Sequence, residues 1–158
     1  TQQWAKERPD LDVTAMGIIG RVARLYLAYQ KEMHKTFASY GLNAAKFDVL
    51  ATLRRAGAPH TLSPGALLEA TMVASGTMTN RIDRLEADGL VQRTVNPEDS
   101  RSFLIALTDT GLTLIDEVVT AHVKTQASMI AKLETSEVAA FQALLSKALV
   151  AADLEPKD

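Results

Sequence analysis

The residues whose types and spacing could do chemistry are concentrated between positions 75 and 101. In Ser75-Gly-Thr-Met-Thr-Asn-Arg-Ile-Asp-Arg84, hydroxyls and an amide crowd the start of a run with helical spacing. Met78, Ile82 and Leu85 fall on one face of that run, which leaves Gly76, Thr77, Thr79, Asn80, Asp83 and Arg84 on the other. Threonine can bond either member of a base pair or touch a thymine methyl, asparagine pairs bidentately with adenine, and a helix N-terminus favours phosphate. That face suits a major groove. Each residue also has a plainer use: Ser75 is equally an N-cap, and Asn80 and the threonines are equally ordinary solvated residues. Further on, Val95-Asn-Pro-Glu-Asp-Ser-Arg101 presents one arginine beside two acids in a stretch that reads as a turn. A guanidinium on a thin projecting loop fits a narrow A·T-rich minor groove, with Asp99 placed to hold its side chain; the plainer alternative is a solvated surface pair.

Such residues need elements to present them. Asn43 reads as the cap of a helix over 44–55, Ser63-Pro64 opens a short helix to about residue 70, Met72-Val73-Ala74 turns the chain, and Ser75 caps the helix that ends at Asp88-Gly89. Two short helices joined by a tight turn form a helix-turn-helix candidate. The strand-like runs 90–94 and 102–107, the second with Phe103, Ile105 and Leu107 on one face, flank the turn at Asn96-Pro97-Glu98-Asp99. A hairpin appended to a helix-turn-helix is a winged helix. Around it lie long helical patterns. Residues 14–40 carry Ile19, Val22, Tyr26, Tyr29 and Met33 as one stripe, and at 1.5 Å per residue the helix would run ~40 Å, longer than a small domain is wide. A second pattern runs from Thr108 through Leu112, Ile115, Val119 and Val123 toward Leu133, and a third follows the N-cap candidates Thr135 and Ser136 through Val138, Phe141, Leu145, Ala148 and Ala152. The economical arrangement has these long helices covering each other across a two-fold axis in a homodimer; an intramolecular bundle is the alternative. The expected organisation is one domain over 1–158, mainly α with a small β-wing, with dimerisation helices at 1–40 and 108–158 and a DNA-binding lobe at 41–107.

Composition agrees with a folded domain of ordinary kind. The 158 residues are 47% hydrophobic and 23% charged, and the chain has no cysteine, so neither disulfides nor thiolate metal sites contribute. No apolar run approaches the roughly 18 residues of a membrane span, and the start, with its early proline and mixed charges, lacks a signal-peptide core, so a soluble cytoplasmic protein is expected. The net charge of −2 gives no global support to nucleic-acid binding. Between 75 and 105, Arg81, Arg84, Arg93 and Arg101 face Asp83, Glu86, Asp88, Glu98 and Asp99, so DNA binding must come from placement, with Lys46, Arg54 and Arg55 adding charge if the fold brings them near. This near-neutral segment keeps alive a winged-helix module that binds protein without DNA. No enzyme is expected: His34, His60 and His122 lack metal-ligand spacing, no glycine-rich phosphate loop or nucleophile motif occurs, no cofactor is implied, and His122 is expected to be a packed or rim histidine.

Three segments together carry a resemblance. The run Asn80-Arg-Ile-Asp-Arg-Leu-Glu-Ala-Asp-Gly-Leu-Val-Gln-Arg93, then Pro97-Glu-Asp-Ser-Arg101, then Ile105-Ala-Leu-Thr-Asp-Thr-Gly111 closely resembles the MarR family of bacterial transcriptional regulators. The resemblance implies a homodimer with a winged helix-turn-helix in each subunit, usually a repressor released from its operator by a small ligand. By position it places Ser75, Thr77, Thr79 and Asn80 on the base-reading face and Arg101 on the wing, supported by Asp99, with Ser100 standing where many members have a second arginine. The tryptophan in Trp4-Ala-Lys-Glu-Arg-Pro-Asp looks like the N-terminal extension of the urate-responsive, PecS-like branch, in which a tryptophan, an aspartate and an arginine of the recognition helix line the ligand site. The matching residues are Trp4, Asp48 and Arg81. An indole stacks on a flat purine, and an arginine binds an anionic heterocycle bidentately. If Asp48 and Arg81 pair without ligand, an arriving anion such as urate would break that pair and shift the helix; the alternative is a packed tryptophan and a purely structural pair.

Overall fold

The computed structural model describes residues 2–71 and 75–152, with the side chains of Ser75 and Gly76 left aside, so the expected turn at 72–74 and the cap and base-reading roles of Ser75 lie outside the described residues. The order of elements is α1 (Gln2–Glu7), α2 (Thr14–Ala38), α3 (Ala44–Arg55), β1 (Thr61–Leu62), α4 (Pro64–Ala70), α5 (Ser75–Ala87), β2 (Val91–Val95), β3 (Phe103–Leu107), α6 (Asp109–Ile130) and α7 (Thr135–Ala151). The strands form one antiparallel sheet in the order β1-β3-β2. The hairpin register sets Val91 opposite Leu107 and Val95 opposite Phe103, and β1 adds two residues along the other edge of β3. That third strand and the short α1 go beyond the sequence reading.

Local chemistry sets the helix starts. Asn43 accepts the Lys46 N–H at 2.9 Å, Ser63 accepts the Ala66 N–H at 3.1 Å ahead of Pro64, and Thr108 accepts the Gly111 N–H at 3.0 Å. At α7 the expected caps are corrected. Glu134 takes the cap position and its own N–H is accepted by Glu137 at 2.9 Å, so Thr135 and Ser136 are already helical. The Glu137 carboxylate reaches back one turn and satisfies a donor that neither hydroxyl can.

The core lies in the middle of the chain. α3 is its axis: Val49, Leu50 and Leu53 are fully buried against Leu67 of α4, Leu85 of α5, Ile105 of β3 and Ile115 and Val118 of α6. The long helices join it only in part. In α2 the stripe predicted from spacing is buried only at Met33, with Phe37 buried one turn beyond it, while Ile19, Val22 and Tyr26 remain 67%, 48% and 57% exposed. α7 buries no residue, and Phe141, Leu144, Leu145, Leu149 and Val150 all face outward. Within the chain α2 packs on α6, where Gln126 Nε2 donates to the Tyr29 hydroxyl at 2.8 Å and the Thr36 and Thr125 hydroxyls lie 2.9 Å apart, while the start of α2 and most of α7 stay exposed.

One seam ties the start of α6 to the end of α5. Thr108 Oγ1 donates to the Gly89 carbonyl at 2.7 Å and Thr108 N–H donates to the Leu90 carbonyl at 3.2 Å. Gly111 lies so close to this strand entry that a Cβ there would stand 1.9 Å from the Leu90 oxygen. Thr108 and Gly111 therefore fix the wing root and α6 against each other.

Candidate nucleic-acid interface and effector cavity

α5 divides its side chains as the spacing predicts. Met78, Ile82 and Leu85 are buried, and Thr77, Thr79, Asn80, Asp83 and Arg84 are exposed on the opposite face. Gly89, at φ +70°, ends the helix in the left-handed conformation that turns the chain into β2. The acids that make this segment near-neutral are largely occupied. Arg93 of β2 forms ion pairs with Asp83 at 2.5 Å and with Glu86, and Lys46 of α3 pairs with Asp88. Arg81, Arg84 and Arg101 form no ion pair with any described residue. Pairing leaves the net charge of the segment as counted, but Lys46 adds one positive charge from outside it, and Arg84 and Arg101 remain unpaired on exposed positions. Arg54 and Arg55, weighed as added charge, are instead engaged with neighbouring elements: Arg54 with Asp116 of α6 at 2.7 Å and Arg55 with the Ala70 carbonyl of α4 at 3.1 Å.

The wing tip is wired through its own backbone. Asn96 N–H donates to the Ser102 carbonyl at 3.1 Å, Asn96 Oδ1 accepts the Glu98 N–H at 3.0 Å, and Asp99 Oδ1 accepts the Arg101 N–H at 3.0 Å. This corrects the role expected of Asp99. It holds the main chain of Arg101 and leaves the guanidinium unpaired, because a carboxylate two residues back closes an Asx-type turn on the nearest N–H before it can reach the end of a long side chain. The arginine is presented without being neutralised.

A cavity of about 780 Å³ is walled mainly by α2 and α3, with Arg81 from α5 and His122 from α6. Asp48 and Arg81 both line it, together with Tyr26, Tyr29, Gln30, His34, Phe37, Phe47 and His122. Two of the three residues predicted for a ligand site are therefore brought together. The third is not: Trp4 is 49% exposed on α1, which buries nothing, and does not line the cavity of its own chain. The supposed Asp48–Arg81 pair does not form: the two side chains line the same cavity without an ion pair between them. The aromatic wall is hidden in the sequence because Tyr26 and Tyr29 carry the spacing of the long-helix stripe.

Phe37 and Phe47 stack with ring centroids 4.3 Å apart, and His122 lies against both, 5.5 Å from Phe37 and 4.8 Å from Phe47. His122 is packed, as expected, and its Nδ1 is buried without a hydrogen-bond partner. Burial holds this imidazole below its ordinary value. The unfolded chain therefore takes up a proton before the folded one does as pH falls. Stability should be fully present above the ordinary histidine value of about 6.5 and decline below it. Urea midpoints measured from about pH 8 to about pH 5 should show that slope, and His122→Phe should flatten it; an unchanged slope in the variant would remove His122 as its source.

The family model described as MarR family matches residues 40–102, which span α3 through the wing tip. Over 146 residues the chain is 42% identical to the HTH-type transcriptional regulator PecS of Dickeya dadantii (strain 3937), covering 92% of this chain and 88% of that one. The chain belongs to the MarR family. Its likeness to PecS also supports a place in the PecS-like branch of that family. A crystal structure of a MarR mutant from E. coli complexed with operator DNA superposes with a TM-score of 0.71 at 25% identity, covering 92% of this chain and 97% of that one. The structure titled as the mechanism for regulation of DNA binding of Bordetella bronchiseptica BpsR by 6-hydroxynicotinic acid superposes with a TM-score of 0.69 at 29% identity, covering 87% and 95%. As a MarR-family member the chain is a winged-helix transcriptional regulator. Among its described residues no group of acids and histidines could hold a metal ion, and no helix is long and apolar enough to cross a membrane.

Proposed function

We propose that the chain is a homodimeric repressor that holds a pseudo-palindromic duplex operator through α5 and the wing, and that a small planar anion entering the α2–α3–α5–α6 cavity releases it. One observation carries this reading: Arg81, facing the cavity beside Asp48, belongs to the same helix whose outer face carries Thr77, Thr79, Asn80 and Arg84. A ligand that engages Arg81 thus acts on the reading helix itself. Its anionic group binds the free guanidinium, a ring N–H suits Asp48, and the stacked aromatic wall suits a flat ring. A ligand of this kind favours the state in which Arg81 is drawn inward, which is the differential affinity that a switch requires. The BpsR likeness supports the chemistry, since 6-hydroxynicotinic acid is a flat heteroaromatic acid; urate is the candidate implied by the PecS-like branch.

The uncovered apolar stripes of α2, α6 and α7 support the dimer. They include Ile19, Val22, Val123, Leu144 and Val150, large apolar side chains exposed on all three helices. In the dimer, residues 1–40 and 108–158 form the shared layer and 41–107 the reading lobe. The PecS-like resemblance gives Trp4 to the ligand site; because its own chain's cavity lacks it, Trp4 serves this role only if it reaches the partner subunit's cavity across that layer.

Urate titrated against a protein–duplex complex should release the DNA, with a coupling of about 5–150-fold in affinity, and should quench or shift the fluorescence of Trp4. Arg81→Met should bind DNA and ignore urate. No change in either signal for the native chain, with urate and with 6-hydroxynicotinate, would remove the effector reading. On the DNA side, Thr79→Ala and Asn80→Ala should alter base preference at single operator positions by ~1–3 kcal/mol. Selection from a randomised duplex pool measures this, and uniform weakening across all sequences would reduce these side chains to positioning the helix.

A further inference from the structure

Arg93 lies on β2, away from the wing tip and opposite Ile105 in the hairpin register. Its guanidinium reaches back to α5, pairing with Asp83 at 2.5 Å and with Glu86, two carboxylates spaced one helical turn apart. Its own backbone N–H donates to Glu86 Oε1 at 3.2 Å, and its guanidinium carbon sits 5.5 Å over the ring of Phe103 on β3. One side chain thus touches the recognition helix at two points and both strands of the wing. The ion pairs also engage two carboxylates that would otherwise repel phosphate near the reading face, Asp83 lying on that face itself.

We propose that Arg93 is the positioning residue that joins the recognition helix and the wing into one DNA-reading unit, fixing where Arg101 is presented relative to Thr79 and Asn80. The proposal rests on the duplex-binding reading above and adds a rigid coupling to it. Effector binding at Arg81 then withdraws helix and wing together, because the wing has no freedom to stay behind in the minor groove. Lysine at 93 would keep the charge but, as a point donor on a flexible stem, could not span both carboxylates and the ring.

The test combines binding and hydrogen exchange on the full-length dimer, with duplex from the region upstream of its own gene as the probe. Arg93→Lys should weaken duplex binding about tenfold, yet add less than about twofold in an Arg101→Ala background, since a wing without its arginine gains nothing from being positioned. In the free protein Arg93→Lys should speed amide exchange over residues 92–106 and leave α3 and α6 unchanged. Wild-type affinity for Arg93→Lys, or losses that multiply in the double variant, would show that Arg93 acts as a plain phosphate contact or not at all and would overturn the proposal. Unchanged wing exchange would overturn it as well, whatever the DNA result. Should Arg101→Ala itself bind as tightly as wild type, the wing-contact reading fails instead, and the exchange measurement still decides whether Arg93 ties the wing to the helix.

Discussion

Gly111→Ala should cost about 3 kcal/mol or more of folding stability, because the added methyl has no room. The methyl would meet backbone: its carbon would stand 1.9 Å from the Leu90 oxygen and 2.9 Å from the Leu90 carbonyl carbon. Neither can swing away as a side chain would. Leu90 is the entry to β2, and its carbonyl already accepts the Thr108 N–H at 3.2 Å, so relief requires α6 to back away from the wing root and abandon that bond. For a chain of this size the loss corresponds to a fall in Tm of roughly 6–12 °C, read by calorimetry or thermal circular dichroism. Gly65→Ala is the control, because a Cβ at that position meets only Ser63 Oγ at 3.9 Å, an ordinary contact, and it should stay within about 1 kcal/mol of wild type. Equal Tm values for the two variants would mean that the seam between α6 and the wing root yields more easily than its geometry indicates. Because the same seam sets the wing's angle, Gly111→Ala should also weaken duplex binding at temperatures where the variant is still folded.

Arg101→Ala should have the opposite profile, with full stability and weak DNA binding. The side chain is exposed and takes part in no ion pair with a described residue, so its loss removes nothing from the fold. The turn beneath it depends on Asn96, Asp99 and the Arg101 N–H, all of which survive the substitution. An arginine delivered to a narrow minor groove is worth ~1–3 kcal/mol, so affinity should fall roughly 5–150-fold, most on A·T-rich flanks. Asp99→Ala should give a smaller loss by loosening the same turn, while Tm moves little. Anisotropy titrations on A·T-rich and G·C-rich flanking sequences would measure both. A loss independent of the flanks would make Arg101 a phosphate contact, and no loss would remove the wing from the interface.

How far the sequence carries this account differs by element. The apolar spacing of Met78, Ile82 and Leu85 predicts both the inner face of α5 and, by exclusion, its reading face, because a helix of known period leaves no freedom in the assignment. Asn43 and Ser63 are legible as caps for a similar reason: each acts within three residues of itself. Failures occur where a residue's partner lies far along the chain or where two local uses compete. β1, two residues long, is too short for alternation to register, and it exists only because β3 offers it an edge. Glu134 displaces Thr135 and Ser136 as the α7 cap because Glu137 returns the bond, a reciprocity the preference for hydroxyl caps does not capture. Asp99 satisfies the nearer backbone N–H in place of the farther guanidinium. Arg93, ten residues from Asp83, reads in sequence as one more basic residue for phosphate and proves to be bound to α5. At the cavity, Asp48 and Arg81 are reached through the family resemblance, whereas Tyr26 and Tyr29 are masked by a stripe that serves two purposes along its length: apolar layer at its start, cavity wall near its end.

Binding of duplex DNA by α5 and the wing is the claim on which the rest depends, and nuclease footprinting upstream of the chain's own gene addresses it most directly. The predicted result is two protected half-sites whose centres lie about one helical turn apart, related by approximate two-fold symmetry, with protection lost steeply as salt rises because phosphate contacts release counterions. Absence of protection even at low salt, with the protein folded and dimeric, would contradict the account and point to a winged helix that binds another protein.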